Sequence, residues 1–280
     1  MSGGADVDAP RYVVNCSILL TDLPLLARPQ AARDAGFDAV EFWWPFEDSV
    51  PADGEVAAFI GAVADAGVRL TALNFAGGDM AAGERGLLSD PSRRQELRDN
   101  VDVAFGIADR LGTKAFNALY GNRIGGVHAQ EQDVVAAENL DHIGALAQRA
   151  GAVVLVEPLS GVEAYPLRTA RDVITVIDRV PGVTSLRLLA DLYHLSTNGD
   201  DLSTVIDEYG DRIGHVQIAD APGRGAPGTG TVDFDRHLAH LRERGYRGHV
   251  SLEYRDDGAD PFGWLPRSRR AASPWEQVGK

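Results

Sequence analysis

Short apolar runs alternate along the chain with segments whose apolar residues recur every third or fourth position. These are the two patterns that separate buried strands from amphipathic helices. Strands are predicted over 12–18, 38–44 (DAVEFWW), 68–75 (VRLTALNF), 113–120 (TKAFNALY), 152–157 (AVVLVE), 185–191 (SLRLLAD), 212–219 (RIGHVQIA) and 248–254 (GHVSLEY). Helices are predicted between them over 25–35, 53–66, 91–111, 131–150, 169–178, 200–209 and 233–244. The second of these puts Val56, Phe59, Ile60 and Val63 on one face. Glycines close most of the helices, and Pro91 opens one at the position where a missing N–H costs least.

Strict strand–helix alternation implies parallel strands joined by right-handed crossovers. Eight strands in a chain of 280 residues point to a single closed (β/α)8 barrel, a TIM barrel, rather than an open doubly wound sheet. No GxGxxG follows the first strand, which also counts against a dinucleotide-binding fold. The chain divides into a flexible lead over 1–11, the barrel over 12–254 and an irregular tail over 255–280. The tail carries Trp264, Trp275 and several arginines, and either packs over the barrel or a partner subunit of a homo-oligomer, or is an ordinary disordered end.

Composition narrows the function. A formal charge of −14 disfavours a nucleic-acid surface. No apolar run approaches the roughly 20 residues of a membrane span. The N-terminus lacks a secretory pattern, and a single cysteine, Cys16, excludes an internal disulfide, so the expected compartment is the cytoplasm. The expected partner is a small-molecule keto acid or sugar, with no nucleic acid and no membrane.

The chemistry gathers at the strand ends. Strands five, six, seven and eight finish on or near Glu157, Asp191, Gln217 and Glu253. A carboxylate or amide at the tip of an apolar strand is costly to bury without a partner, and four of them suggest a shared one. In this barrel type they converge on one axial pocket. Three carboxylates and an amide oxygen form a hard, all-oxygen set suited to Mg²⁺ or Mn²⁺. The bland alternative is that one or two are acids or amides paired at the rim. His215 shares a strand face with Gln217 and could orient it or Glu157. Asn15, Asn74 and Asn117 could reach the same pocket, Trp43 or Trp44 could wall it, and Glu84 with Arg85 could form a lid over it.

The segments GGDMAAGERG (77–86), VEPLS (156–160), ADLYHLS (190–196), IGHVQIADAPGRGAPGTG (213–230) and GYRGHVSLEY (245–254) resemble the hydroxypyruvate isomerase family of xylose-isomerase-like barrels. The resemblance implies that Glu157, Asp191, Gln217 and Glu253 bind the metal and that Glu157 and Glu253 are also the acid/base pair. In related ketose epimerases the positions matching His194 and Arg224 contact the substrate. The implied reaction is metal-dependent isomerisation of a small keto acid, hydroxypyruvate to 2-hydroxy-3-oxopropanoate, through an enediolate. Ser160 stands where the family usually has Asn, Ala226 and Thr231 where it has Glu, and Leu195-Ser196 where it has Met-Gln. These departures bear on the substrate, since Ser160, Leu195 and Ser196 are expected to line or border the pocket.

Four other activities fit the fold. One is isomerisation of a longer, 2-oxo-tetronate-type sugar acid, and another is 3-epimerisation of a ketose. A third is hydrolysis of the endonuclease-IV type, which wants several zinc ions, many histidines and a basic groove; seven scattered histidines and the −14 charge argue against it. The fourth is sugar binding without catalysis, which leaves both glutamates unexplained.

Overall fold

Each predicted strand finds parallel neighbours on both sides. The computed structural model describes residues 10–258 and 260–271. In it β1 (Arg11–Asn15), β2 (Ala39–Phe42), β3 (Arg69–Asn74), β4 (Ala115–Asn117), β5 (Val153–Val156), β6 (Leu186–Asp191), β7 (Ile213–Ile218) and β8 (His249–Leu252) pair in chain order. The sheet closes through β1 and β8, so no edge is left open. Around it lie α1 (Arg28–Asp34), α2 (Asp53–Ala66), α3 (Arg94–Leu111), α4 (Ala129–Ala150), α5 (Ala170–Asp178), α6 (Leu192–Thr197), α7 (Leu202–Tyr209) and α8 (Phe234–Glu243). This is the single (β/α)8 barrel expected from the alternation.

Helices α2, α3 and α4 end at Gly67, Gly112 and Gly151, each left-handed, a conformation that strains any residue with a Cβ. The outer core is the layer where helix stripes meet the sheet. Phe59 and Val63 of α2 and Val101, Ala104 and Ile107 of α3 are fully or almost fully buried there. No helix among the described residues is long and apolar enough to cross a membrane.

Two departures from the sequence reading matter for the site. First, the fourth strand is only Ala115–Asn117, because the residues beyond it bend into a loop. Second, the connection after β6 holds a short extra helix, α6. Asp191 caps it, its Oδ1 accepting from the Tyr193 and His194 backbone N–H groups at 2.8 and 3.4 Å. His194 therefore rides on a capped helix rather than a free loop. Six residues were too few for a periodic pattern to show.

Register places the strand tips. Asp191 pairs with Gln217, and Asn15 with Glu41, each at one height on the barrel wall. A bulge shifts the β6–β7 register between Leu188 and Leu189, so that Leu189 faces His215 instead of Gly214.

The loop after β7 is held by one carboxylate. Asp220 is fully buried, and its oxygens accept from the backbone N–H groups of Ala221, Val232 and Gly228 at 2.9, 3.0 and 2.9 Å. Thr231 donates its hydroxyl to the Ala221 carbonyl, which closes the same loop without an acid. The described part of the tail packs on its own barrel. Phe262 meets Phe37, Trp264 meets Tyr12, and Arg270 donates to the carbonyls of Ala35, Phe262 and Leu265. Most of the lead, residues 1–9, and the last nine residues, including Trp275, lie outside the described residues.

Candidate active site

All four predicted strand-tip residues are buried and come together at the C-terminal end of the barrel. Asp191 and Gln217 close β6 and lie within β7, while Glu157 and Glu253 stand one residue past β5 and β8. Glu157, Asp191 and His194 bring ligand atoms within 4.8 Å of one another. Arg224 joins the group from the β7 loop. Its Nη2 lies 2.5 Å from Glu253 Oε1 and 3.7 Å from Asp191 Oδ2, and its guanidinium sits over the Tyr193 ring. Its backbone is left-handed, at φ 59°, a strained choice for a residue with a side chain.

The hydrogen bonds of Gln217 settle which way its amide points. Nε2 donates to Glu41 Oε1 at 2.8 Å and to Glu253 Oε2. Both N–H groups are then used, and reversing the amide would aim its oxygen at two carboxylates. Oε1 is left buried with no hydrogen-bond partner. Asp191 is in the same position, because Oδ1 caps α6 and Oδ2 is buried without a hydrogen bond. Orphaned buried acceptors are expensive. Two of them beside two glutamates are the donor set a hard divalent cation needs, so the residues present fit such an ion.

His194 is the imidazole grouped with Glu157 and Asp191, but its ring is committed elsewhere. Nδ1 accepts the Ser160 backbone N–H at 3.0 Å, with Ser160 Oγ at 2.7 Å. A backbone N–H can only donate, so the ring proton sits on Nε2, which lies 3.6 Å from Asp191 Oδ2. Burial lowers the His194 pKa to about 4, so the ring is neutral at pH 7. It presents an N–H donor rather than a ligand lone pair.

Glu41 is the residue the sequence reading missed. It is buried at 2% exposure and lies at the axis of the network. Asn15 Nδ2 donates to its Oε1 at 2.8 Å and to Glu253 Oε2 at 2.7 Å, and His215 Nε2 lies 2.6 Å from its Oε2. Burial alone would push Glu41 up, but His215 above all, with Ser251 and the Gln217 amide, outweighs it and holds the carboxyl below its usual range. His215 thus acts on Gln217 through Glu41, not directly. The signal was an acid in the otherwise apolar run AVEF; it went unread because Glu41 is not the last residue of its strand.

The asparagines fall where expected. Asn15 bridges two acids, Asn117 donates to Glu157 Oε2 at 2.7 Å, and Asn74 lines the cavity above. That cavity, about 600 Å³, is walled by Trp43, Met80, Arg85, Ser160, Tyr193, His194 and Arg224 over the two glutamates. Trp44 instead packs on Phe46. Leu195 does not border the cavity: it is fully buried in the core, and Thr197 takes the place at the wall expected of Ser196. Glu84 turns from the cavity to Arg93, so it forms no lid pair with Arg85. Burial raises the Cys16 thiol far from reactivity.

The acids are poorly compensated without a cation. Burial, and then Asp191 beside it, raise the Glu157 pKa to about 8. Burial holds Glu253 well above the usual carboxylate range even though Arg224 pulls it down.

Residues 29–275 match the family described as xylose isomerase-like TIM barrel. A Streptomyces coelicolor protein provisionally named hydroxypyruvate isomerase is 52% identical over 94% of this chain and 98% of its own length. The hydroxypyruvate isomerase of Escherichia coli K12 is 32% identical over 88% of this chain and 93% of its own. Among solved structures, a Brucella melitensis protein described as a family 2 AP endonuclease is 30% identical. It superposes with a TM-score of 0.83 over 91% of this chain and 97% of its own.

Two outcomes are expected. Glu41→Gln leaves one oxygen for three donors, so Gln217 loses its orientation. Calorimetric titration should show Mn²⁺ affinity falling ~10–100-fold, the usual cost of removing a partner behind a metal ligand; unchanged affinity would contradict the role given to Glu41. The second outcome concerns pH. Above its ordinary value of 4.5, the unfolded chain has released the Glu157 proton that the metal-free fold keeps to about 8. That contribution to stability is present at low pH and lost as pH rises through the folded value. His194 and His249, lowered by burial, act with the opposite sign but only up to their ordinary 6.5. Between 6.5 and about 8 the melting temperature of the metal-free protein should fall, and saturating Mg²⁺ or Mn²⁺ should flatten the fall. A flat metal-free profile there would refute the electrostatic account.

Proposed function

The chain belongs to the hydroxypyruvate isomerase family on the xylose isomerase-like TIM barrel, and we propose that it is a divalent-metal-dependent isomerase of a short keto acid. It is an isomerase by family, as its named relatives are. The lead reaction is hydroxypyruvate to 2-hydroxy-3-oxopropanoate. One observation carries the reading: the acceptors Asp191 Oδ2 and Gln217 Oε1, buried without a hydrogen bond, stand beside the two buried glutamates at the floor of the cavity.

Glu157, Asp191, Gln217 and Glu253 would hold Mg²⁺ or Mn²⁺. The bound ion would supply Lewis-acid stabilisation of the negative charge that develops on the substrate oxygens. The chain's own residues supply the rest. One glutamate takes a proton from the carbon bearing the terminal hydroxyl, and the other returns one to the former carbonyl carbon, while the hydroxyl proton passes to the former carbonyl oxygen. Each is anchored through Oε2, Glu157 by Asn117 and Glu253 by Asn15 and Gln217. Oε1 of Glu157 is then left for the reaction, while Oε1 of Glu253 carries Arg224 Nη2 and must exchange it to act. Neutral His194 offers its Nε2 proton to a substrate oxygen, and Ser160 fixes the tautomer that allows it. Arg224 pairs with Glu253 and offsets part of the cost of ionising it in this buried site.

A cavity of about 600 Å³ extends well past the glutamates, between Leu119 and Leu159, and favours a second reading in which the substrate is a longer oxo sugar acid. The endonuclease description attached to the Brucella relative fits less well. Duplex binding draws on a basic surface, and this chain carries −14; among the described residues only one histidine, His194, lines the cavity. The reading also makes this an enzyme of a reducing compartment such as the cytoplasm, acting on a soluble small molecule.

The test is turnover followed by proton NMR across hydroxypyruvate, longer oxo acids and free ketoses. Hydroxypyruvate should be converted, chelation should abolish conversion, and Mg²⁺ or Mn²⁺ should restore it. With metal bound, Glu157→Gln and Glu253→Gln should each lower kcat at least ~10²-fold, the range of positioned proton transfer. Full activity without metal, or a normal rate in either variant, would overturn the proposal. Turnover of ketoses alone would make the protein an epimerase.

A further inference from the structure

The cavity over the glutamates is lined by three arginines, Arg85, Arg224 and Arg255, in a chain that is strongly acidic overall. They are not equivalent. Arg224 is spent on the acids below it: Nη2 pairs with Glu253 Oε1, and Nε donates to the Glu253 carbonyl at 3.4 Å. Arg255 is an exposed residue at the rim, tied in by its backbone N–H to the Arg224 carbonyl. Arg85 is half-buried and anchored. Its Nη1 donates to the carbonyls of Met80 and Glu84 at 2.9 and 2.6 Å.

That anchorage uses one end of the guanidinium and leaves the other. Among the described residues, Nε and Nη2 of Arg85 have no hydrogen-bond partner, and no carboxylate lies within ion-pair distance. Its neighbour Glu84 spends its carboxylate on Arg93 and on the Asp79 backbone N–H. The Arg85 backbone is equally fixed. Gly121 N–H donates to the Arg85 carbonyl at 2.9 Å, and Gly86 N–H to Gly77 at 2.8 Å. Gly86 has φ +109°, and a Cβ there would lie 2.0 Å from the Leu119 carbonyl oxygen. Only glycine lets the loop come this close to the chain after β4. The result is a half-buried, preorganised cation that faces the cavity with an unsatisfied edge.

We infer that Arg85 is the residue that binds the substrate's carboxylate. Nε–H and one Nη2–H point in parallel from the same side of the guanidinium, which is the fork that two carboxylate oxygens fit. An oxo acid gripped there would reach toward the glutamates with its carbonyl end, and its length would be read from Arg85 to the glutamates. The inference deepens the functional reading above and rests on it for the class of substrate. It gives the role of carboxylate reader to Arg85 and not to Arg224, whose charge the structure already uses.

The test uses the full-length, metal-loaded protein and D-glycerate, which carries the carboxylate but has no carbonyl and cannot be isomerised. Calorimetric titration should show Arg85→Met weakening glycerate binding at least ~10-fold, as expected for a lost charge-assisted pair. Metal affinity and melting temperature should stay near wild type. Arg85→Lys should fall between, keeping the charge and losing the fork. With hydroxypyruvate, both variants should raise KM more than they lower kcat. Arg255→Met, at the rim, should change glycerate binding less than ~2-fold. Wild-type glycerate affinity in Arg85→Met, or the loss appearing in Arg255→Met instead, would overturn the assignment. So would equal losses of glycerate and metal binding in both Arg85 variants, which would report a structural role. Failure of the functional reading shows separately, as a wild-type protein that turns over no oxo acid in the metal-loaded state.

Discussion

Four carboxylates, Glu41, Glu157, Asp191 and Glu253, are buried at one end of one barrel, and the rest of the site follows from how their charge is met. Acids this close cannot all ionise in a dry pocket without partners. The chain supplies those partners unevenly. His215, Asn15 and the Gln217 amide converge on Glu41 and keep it charged. Glu157 receives a single amide donor, and Glu253 shares its amide donors with Glu41 and leans on Arg224. The deficit lies on the side where Asp191 Oδ2 and Gln217 Oε1 are buried without a hydrogen bond. A divalent cation, as proposed above, would meet that deficit.

The fold makes that arrangement affordable in structural terms. Parallel strands deliver side chains to the same end, and pairing register sets the heights, so Asp191 and Gln217 stand level without any loop holding them. Loops then carry what the strands cannot. Asp220 gathers three backbone N–H groups and so holds the β7 loop that presents Arg224, while α6 turns His194 toward Asp191 with a fixed tautomer. Rigid strands hold the acids, and capped or pinned loops hold His194 and Arg224, the groups proposed to meet the substrate.

Much of this could be read from the sequence because the signals were local. Alternation of strand and helix patterns announced the barrel, and polar residues ending apolar strands announced Glu157, Asp191, Gln217 and Glu253. What escaped notice depended on contacts across the barrel. Glu41 comes from β2 and touches residues of β1 and β7, a relation no spacing in the chain encodes. The helix α6 was too short to show a period. The division of labour between Arg224 and Arg85 turns on which guanidinium edge is already occupied, and that is visible only once both loops are folded.

The measurement that bears most directly on the central claim is the position of a bound ion. Crystals of the protein soaked in Mn²⁺ should show one strong anomalous peak enclosed by Glu157, Asp191, Gln217 and Glu253, with Gln217 Oε1 and Asp191 Oδ2 among its ligands and Arg224 drawn off Glu253. A peak elsewhere, or none at saturating Mn²⁺ with Arg224 still paired to Glu253, would mean that the arginine is the resident cation and that the account is wrong.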